Sequence, residues 1–352
     1  MVSNNQYYPS YLQLEKILDS QKPLSFEPGN EPAHDEMLFI IIHQAYELWF
    51  KQILFELDYV KKIFEKSKVD DNSEDLNLCR HRLKRVVRIL ELLNNQVSVL
   101  DTMTPMDFLE FRNLLTPASG FQSKQFRLIE ATLGLEMQKR HHHDYYKRTN
   151  EGGFTKDDFS DIESTEKSAT ILQLINKWLE RMPFFNTEFW KSYKPVSDLN
   201  DQDHPFWNDY YALYKESLSE REMPKLDDLK ERILKEKNES ENGFSNTALR
   251  SALFIILYRD FPVFQTSFQI LDTLIEIDHL LAGWRHKHYV MVRRMIGMRV
   301  GTGNTSGAGY LEGAVQQHYI FKDLAGLSTY LIERRKLPRL PEELIKELGY
   351  NS

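Results

Sequence analysis

Residues 37–50 read MLFIIIHQAYELWF, and this stretch decides how the chain folds. It lies in a segment from His34 to Thr104 without glycine or proline, which is long enough for two consecutive helices. A polar turn at 68–75 separates a helix over about 34–66 from one over about 74–100. The first helix is apolar nearly all round, and a helix without a wide polar face is a buried one. The stretch therefore predicts the buried centre of a helical protein.

Composition limits the class of protein. The 352 residues can bury a large core without a disulfide, and the single cysteine, Cys79, excludes one within the chain. A net charge of −7 with both signs mixed leaves no basic surface for nucleic acid. The N-terminus lacks the basic and apolar regions of a signal peptide, and the apolar runs are too short to span a membrane. We therefore expect a cytoplasmic protein that binds neither nucleic acid nor membrane.

The remaining sequence shows helical periodicity and no sustained strand alternation. We predict an all-α fold, in which long central helices form a bundle with smaller peripheral helices around it. Residues 34–352 form a single domain, and residues 1–33 form an N-terminal segment. The polar, aperiodic stretch 141–163 predicts a mobile loop. Further helices are expected over about 121–140, 164–182, 206–222, 225–238, 246–260, 266–297, 312–318, 320–333 and 341–348.

The helix over 266–297 carries a histidine on its apolar face. Spacings of three, four and seven place six residues on that face: Leu274, Leu281, Trp284, His288, Met291 and Met295. His286 lies about 200° away around the helix. His288 is either a core histidine hydrogen-bonded to a neighbour or a ligand of a metal or haem iron, with Trp284 and Met291 one turn before and after it.

A second histidine, His43, lies in the nearly apolar first helix. Glu47 and Lys51 follow it at i+4 and i+8, on the same side. One interpretation is a polar His–Glu–Lys ladder in a buried helix. The other is a distal histidine or general base over an apolar pocket, with Phe39 as a wall. Periodicity does not decide between the two.

Arg112 lies among apolar residues in DFLEFRNLLTPASGFQS, residues 107–123. An arginine in such a place either extends to water or pairs with a carboxylate, which a ligand could provide. The segment 297–309 contains five glycines and is either a flexible linker or a lid over a bound ligand. The pair Glu276 and His279 has the E-x-x-H spacing of di-iron bundles, but it lies away from the His288 face.

Four blocks of sequence, taken in order, resemble the tryptophan 2,3-dioxygenase family over about residues 8–335. They are HDEMLFIIIHQAYELWFKQILFELD (34–58), LDTMTPMDFLEFRNLLTPASGFQSKQFRLIE (100–130), FQILDTLIEIDHLLAGWRHKHYVMVRRMIG (268–297) and GTGNTSGAGYL (301–311). The resemblance implies an enzyme with one haem b per subunit. It inserts both atoms of O2 across the indole C2–C3 bond of L-tryptophan to give N-formylkynurenine, the first step of the kynurenine pathway. It also implies a homotetramer, a dimer of dimers, in which residues 1–33 reach a neighbouring subunit. Residues 184–245 then form a variable helical insertion.

The resemblance also implies roles for individual residues. His288 matches the proximal ligand of the haem iron, with Trp284 beside it in the cofactor pocket, and His43 matches the catalytic distal histidine near the indole N–H. Arg112 matches the arginine that binds the substrate carboxylate. The other substrate-binding positions are Phe39, Ile40, Ile41, Ile42, Phe108, Leu115, Ser119, Thr302 of the Gly-rich loop, and Tyr8 and Tyr11 from the adjoining subunit.

This chain departs from the family pattern around His288, where it has His286, Lys287 and Tyr289, and in the loop GTGNTSG. These departures affect the surroundings of the matched iron ligand and the loop, but they replace no matched functional residue. The alternative functions are a haem-binding sensor or carrier of the same fold, and a helical scaffold that only buries His288. The first predicts haem uptake without tryptophan turnover, and the second predicts a colourless protein.

Overall fold

The computed structural model describes residues 6–66, 69, 73–135, 153–198, 202, 204–235, 243–297, 299, 301 and 319–348. Throughout these ranges the regular secondary structure is helical and contains no strand, which confirms the all-α fold. None of the helices in the same ranges is both long and apolar enough to cross a membrane. The α-helices are α1 (Tyr8–Leu12), α2 (Leu14–Leu18), α3 (Asp35–Phe64), α4 (Glu74–Leu100), α5 (Pro105–Phe111), α6 (Lys124–Leu133), α7 (Lys156–Lys167), α8 (Ile171–Glu180), α9 (Pro205–Ser217), α10 (Pro224–Leu229), α11 (Asn246–Leu257), α12 (Pro262–Ile296), α13 (Lys322–Gly326) and α14 (Glu342–Glu347).

Three long helices, α3, α4 and α12, form the centre of the fold, and both α3 and α12 pack against α4. The predicted bounds of α3 and α4 agree with the structure to within two residues. Ser73 defines the start of α4, because its hydroxyl accepts the Leu76 N–H at 3.2 Å. Helix α12 begins at Pro262, earlier than predicted, because proline is well tolerated in the first turn of a helix.

Asn94 fixes α12 against α4 close to the predicted iron ligand. Its amide donates to the carbonyl oxygens of Leu90, on its own helix, and Leu280, on α12, at 2.9 and 3.0 Å. Gly283 allows this approach, since a Cβ atom there would lie 3.3 Å from the Asn94 amide oxygen. Lys287 then donates from Nζ to the Asn94 carbonyl at 3.1 Å. These contacts surround the turn of α12 that precedes His288.

Two buried carboxylates join segments outside the three long helices to this centre. Glu36 on α3 accepts the backbone N–H groups of Leu24 and Ser25, both at 2.8 Å. Asp278 on α12 accepts those of Ile320 and Phe321 at 2.6–3.1 Å. Each carboxylate therefore satisfies backbone donors that burial would otherwise leave without partners.

The prediction of a mobile loop over 141–163 is wrong for residues 156–163, which belong to α7. The Thr155 hydroxyl accepts the Asp158 N–H at 3.2 Å, and acidic residues in the first turn interact favourably with the helix dipole. Ile162 is buried against Phe154. Helix α7 has too few apolar residues to show a helical period in its sequence, so the capping residue is its main sequence signal. Residues 141–152 lie outside the described residues.

Other boundaries differ from the predictions in local ways. The helix predicted over 164–182 divides at Thr170, whose hydroxyl accepts the Gln173 N–H in a capping box that starts α8. The helix predicted over 225–238 continues beyond α10 as a short π-helix, Lys230–Leu234. The described part of the 184–245 insertion contains α9 and α10. The helix predicted over 312–318 lies outside the described residues, as does most of the 297–309 segment.

His204 caps the N-terminus of α9 inside an aromatic cluster. Its Nδ1 accepts the Phe206 N–H at 3.3 Å, and its ring lies 4.6 Å from Trp190 and 5.4 Å from Phe185, measured between centroids. Burial lowers the pKa of His204 to about 4, and the charge of Arg250 acts in the same direction. The neutral imidazole is therefore the form that the fold requires.

The pKa of His204 predicts how stability depends on pH. Because the pKa in the folded state, about 4, lies below the usual 6.5, protonation favours the unfolded chain. Stability should be complete above pH 6.5 and should fall as the pH drops from 6.5 toward 4. His204→Asn keeps a capping oxygen but does not titrate, so it should reduce this loss.

The measurement is the urea midpoint of the haem-free protein between pH 7.5 and 5. His81→Asn, at an exposed position, controls for the loss of a histidine elsewhere in the chain. Identical pH profiles for His204→Asn and the unaltered chain would contradict the prediction.

Candidate active site

A cavity of about 250 Å³ lies between α3, α4, α5, α6 and α12. Most of its wall is apolar, with side chains such as Phe50, Leu100 and Met295. Seven of the residues predicted from the sequence line it: Phe39, His43, Phe108, Arg112, Ser119, Trp284 and His288. The structure therefore brings together in one space the histidines of two distant helices and the arginine of a third segment.

His288 enters the cavity from α12. Its imidazole stacks on the indole of Trp284, one turn earlier, with centroids 5.3 Å apart and planes at 21°. Burial lowers the pKa of His288 to about 4, and the charges of His43 and Arg127 act in the same direction. The ring is therefore neutral at pH 7, with a lone pair available.

The bonding of His288 distinguishes its two interpretations. A core histidine needs a hydrogen-bond partner, but none of the described residues donates to or accepts from this imidazole. The same residues contain no group of three or more His, Cys, Asp or Glu side chains that could hold a metal ion directly. Glu276 and His279 are exposed, away from the cavity. A single free imidazole suits a metal whose other ligands come from a macrocycle.

His43 faces the cavity from α3. Its Nδ1 lies 2.7 Å from the Phe39 carbonyl oxygen, and the two rings lie 4.1 Å apart at 36°. Burial lowers the pKa of His43, against the opposing effects of the Phe39 hydrogen bond and the charge of Glu47. A neutral ring that donates from Nδ1 keeps Nε2 as an acceptor. His43 therefore offers a hydrogen-bond acceptor to a ligand N–H group.

The predicted His–Glu–Lys ladder does not form. Gln125 of α6 donates from Nε2 to both the carbonyl and the carboxylate of Glu47, at 2.8 and 2.9 Å. Lys51 is exposed. The side chain of His43 is accessible from the cavity and is not packed in the core. Of the two interpretations, the structure favours a pocket residue.

Arg112 is half-buried at the end of α5, where a 3-10 turn, Arg112–Leu115, begins. A capping box between Thr104 and Asp107 starts α5 and so determines the register of the helix. Phe108 precedes Arg112 by one turn, and its ring lies 5.8 Å from that of Phe39. The result is an aromatic wall with a guanidinium group at one end, which suits a ligand with a flat apolar part and an anionic part.

Several residues predicted for the site do not line the cavity. Ile42 is buried in a separate small cluster with Phe111, and Leu115 packs against that cluster. Ile41 is 48% exposed, and Ile40 is also absent from the cavity wall. Tyr8 and Tyr11 are 69% and 67% exposed on the single chain. Thr302 lies outside the described residues.

The structure reveals a buried charge cluster that the sequence analysis missed. Glu130 of α6 accepts from Arg127 and from Arg285 of α12, both at 2.8 Å. All three side chains are at most 8% exposed, and all three line the cavity. The i,i+3 spacing of Arg127 and Glu130 was the available signal, but only the fold shows that Arg285 joins them. Tyr46, which also lines the cavity, was missed as well.

Comparison with known proteins gives matches along nearly the whole chain. The sequence model of the tryptophan 2,3-dioxygenase family matches residues 1–331. Proteins named tryptophan 2,3-dioxygenase are similar over nearly the whole chain. The one from Alteromonas mediterranea is 40% identical over 98% of this chain and 97% of its own. That of Dictyostelium discoideum is 41% identical over 98% and 88%, and that of Anopheles gambiae is 40% identical over 97% and 89%.

The Glu130 cluster leads to a prediction about stability. Glu130→Gln removes the negative charge that faces two buried guanidinium groups, and breaking a buried pair in this way costs about 3–5 kcal/mol. We expect a loss of that size in the free energy of unfolding, measured by urea denaturation.

Glu56→Gln is the matched control. Glu56 is equally buried, but its partners Arg82 and Arg85 are 29% and 41% exposed, so water can solvate them. Its substitution should cost less. Equal losses for the two variants would show that burial of the arginines is not the cause.

Proposed function

This chain belongs to the tryptophan 2,3-dioxygenase family, and we propose that the cavity between α3 and α12 is the site of the family reaction. The enzyme is a haem-dependent dioxygenase that cleaves the indole C2–C3 bond of L-tryptophan with O2 to give N-formylkynurenine. The observation that carries the proposed site is the neutral imidazole of His288, which is free of hydrogen bonds to the described residues and accessible from the cavity. No comparable observation favours a sensor or carrier.

The residues of the cavity fit a haem. His288 supplies one uncharged nitrogen donor, Trp284 supplies an aromatic surface beside it, and the apolar wall suits a porphyrin. We propose that His288 would hold the iron of a haem b through a ring nitrogen, with one haem per subunit. When bound, the haem would supply the iron that binds and activates O2.

His43 orients the indole in this proposal. With Nδ1 committed to the Phe39 carbonyl, Nε2 accepts a hydrogen bond from the indole N–H. The lowered pKa keeps the ring neutral, so this acceptor persists at pH 7. Phe39 and Phe108 bury the apolar ring system of the substrate, which excludes water from it. His43 therefore need not remove the indole proton.

Arg112 recognises the amino-acid end of the substrate. A guanidinium group forms a charge-assisted and often bidentate pair with a carboxylate, and the apolar wall strengthens that pair. Ser119 lines the same cavity and offers a further polar group. An aromatic wall and Arg112 in one cavity thus suit a ligand that carries both an indole ring and a carboxylate.

Family membership also supports proposals about assembly and location. We propose a cytoplasmic homotetramer, a dimer of dimers, in which residues 1–33 reach a neighbouring subunit beside the domain 34–352. The exposure of Tyr8 and Tyr11 supports this, because aromatic rings are commonly covered at interfaces. Thr302 remains a proposed substrate contact, whereas residues 40–42 belong to the segment that carries Phe39 and His43 but do not themselves line the cavity.

Absorption spectroscopy tests the proposed function. The purified protein, supplied with haem and reduced, should show a haem Soret band and should convert L-tryptophan and O2 to N-formylkynurenine. His288→Ala should lose the specific haem spectrum, while His204→Asn, far along the chain and outside the cavity, should keep it. Haem uptake without consumption of tryptophan would establish the sensor or carrier instead.

Arg112 leads to a prediction about specificity. Arg112→Gln leaves the substrate carboxylate without its charged partner, which costs about 2–5 kcal/mol for truncated buried pairs. Since 1.4 kcal/mol is tenfold, kcat/KM for L-tryptophan should fall by about 30-fold or more.

Tryptamine provides the control, because it keeps the indole but lacks the carboxylate. Its inhibition constant should change little in Arg112→Gln. If the variant lost affinity for tryptophan and for tryptamine to the same degree, the cavity would be distorted. That result would contradict the proposed contact between Arg112 and the carboxylate.

A further inference from the structure

His288 lacks the support that usually orients a metal-binding histidine. Such a histidine normally donates its second ring N–H to a carbonyl, a carboxylate or water, and this bond fixes the plane of the ring. Among the described residues no protein group forms that bond with His288. The torsion that rotates an imidazole is broad, so another contact must determine the plane.

Trp284 provides that contact. Its indole lies nearly parallel to the imidazole, with centroids 5.3 Å apart and planes at 21°. Three rings from other helices hold the indole from the sides: Phe126 at 4.8 Å, Tyr46 at 6.0 Å and Phe50 at 6.2 Å. Rotation of Trp284 would therefore collide with α3 or α6, and the stacked imidazole is restricted with it.

Tyr46 adds a polar contact to this packing. Its hydroxyl donates to the Leu93 carbonyl of α4 at 2.9 Å, which leaves its lone pairs for another donor. The indole nitrogen of Trp284 is buried and has no hydrogen-bond partner among the described residues. Burial raises the pKa of Tyr46 to about 12, and Trp284 opposes that rise. Through the bond of its hydroxyl to α4 and the edge-on contact of its ring with Trp284, Tyr46 links α3, α4 and α12.

We propose that Tyr46 and Trp284 are positioning residues that hold the imidazole plane of His288 for the haem iron. The inference rests on the proposed role of His288 as the axial ligand. Leu93 anchors the Tyr46 hydroxyl, the Tyr46 ring packs on the indole, and the indole stacks on the imidazole. A stacked ring thus replaces the hydrogen bond that orients most ligating histidines.

The inference has a measurable consequence for iron. Tyr46→Phe removes only the oxygen atom, so the ring that packs on Trp284 loses its anchor to Leu93 and the imidazole plane becomes less restricted. A less aligned imidazole is a weaker donor, which destabilises the ferric state more than the ferrous state. Haem affinity should therefore fall about tenfold, which is the lower end of the range seen when a residue that supports a metal ligand is replaced. The midpoint potential of the iron should shift to more positive values.

Tyr214→Phe is the matched control. Tyr214 is buried on α9, and its hydroxyl also donates to a backbone carbonyl, that of Thr329, at 3.0 Å, but it does not line the cavity. Both variants lose one comparable hydrogen bond, so both should lower the melting temperature. Only Tyr46→Phe should change the haem dissociation constant and the midpoint potential, both measured without tryptophan.

A double-mutant cycle tests whether the hydroxyl acts through the indole. Trp284→Phe keeps an aromatic ring but lacks the N–H, so adding Tyr46→Phe to it should produce no further shift in potential. A full additional shift, or equal potentials for Tyr46→Phe and Tyr214→Phe, would overturn the inference. If the unaltered protein bound no haem, or if His288→Ala kept the same haem spectrum, the proposed function would fail instead.

Discussion

The site depends on the close packing of α12 against α4. Gly283 has no side chain at the crossing, and Asn94 fills the space and donates to the Leu280 carbonyl. Lys287 binds the carbonyl of the same asparagine. Because these contacts lie on both sides of Trp284 and end next to His288, they fix the rotation of α12 about its axis. Helix packing therefore determines where the His288 side chain leaves α12, while the plane of its ring depends on the stack with Trp284.

The cavity separates neutral from charged groups. Desolvation lowers the pKa values of His43 and His288, so both rings keep their lone pairs at neutral pH. The buried charges of Arg127 and Arg285 face the carboxylate of Glu130, and this pairing makes their burial tolerable. This division leaves two uncharged imidazoles with lone pairs in the cavity, as the proposed roles of His288 and His43 require. The guanidinium of Arg112 is half-buried in the same wall, where we propose that it binds the anionic end of a substrate.

The sequence predicts residues on one helix face well, but it does not predict their partners from other helices. Spacing placed Trp284 and His288 together, and the structure stacks them. The same reasoning did not single out Arg285, which follows Leu281 at i+4 and precedes His288 at i+3, because spacing does not reveal its partner, Glu130 of α6. Residues 40–42 show that matching a family by sequence position does not reveal which side chains of a helix line the cavity. Successive residues turn by about 100° around a helix, so Phe39 and His43 share a face and the three residues between them point elsewhere.

Some residues of the site lie on a long helix and others lie in short turns, and this difference has a physical reason. α3 carries both His43 and Tyr46, and it is tied to its neighbours by Tyr46 to Leu93, by Gln96 to the Ile42 carbonyl and by Gln125 to Glu47. A helix joined at three points holds its side chains in place, which the proposed indole acceptor, His43, and the proposed positioning residue, Tyr46, require. Arg112, by contrast, begins a 3-10 turn, and Ser119 caps another such turn at Gly120–Gln122. We expect substitutions in these short turns to change how the amino-acid end of the proposed substrate is bound without moving His288, because α12 packs mainly on α4.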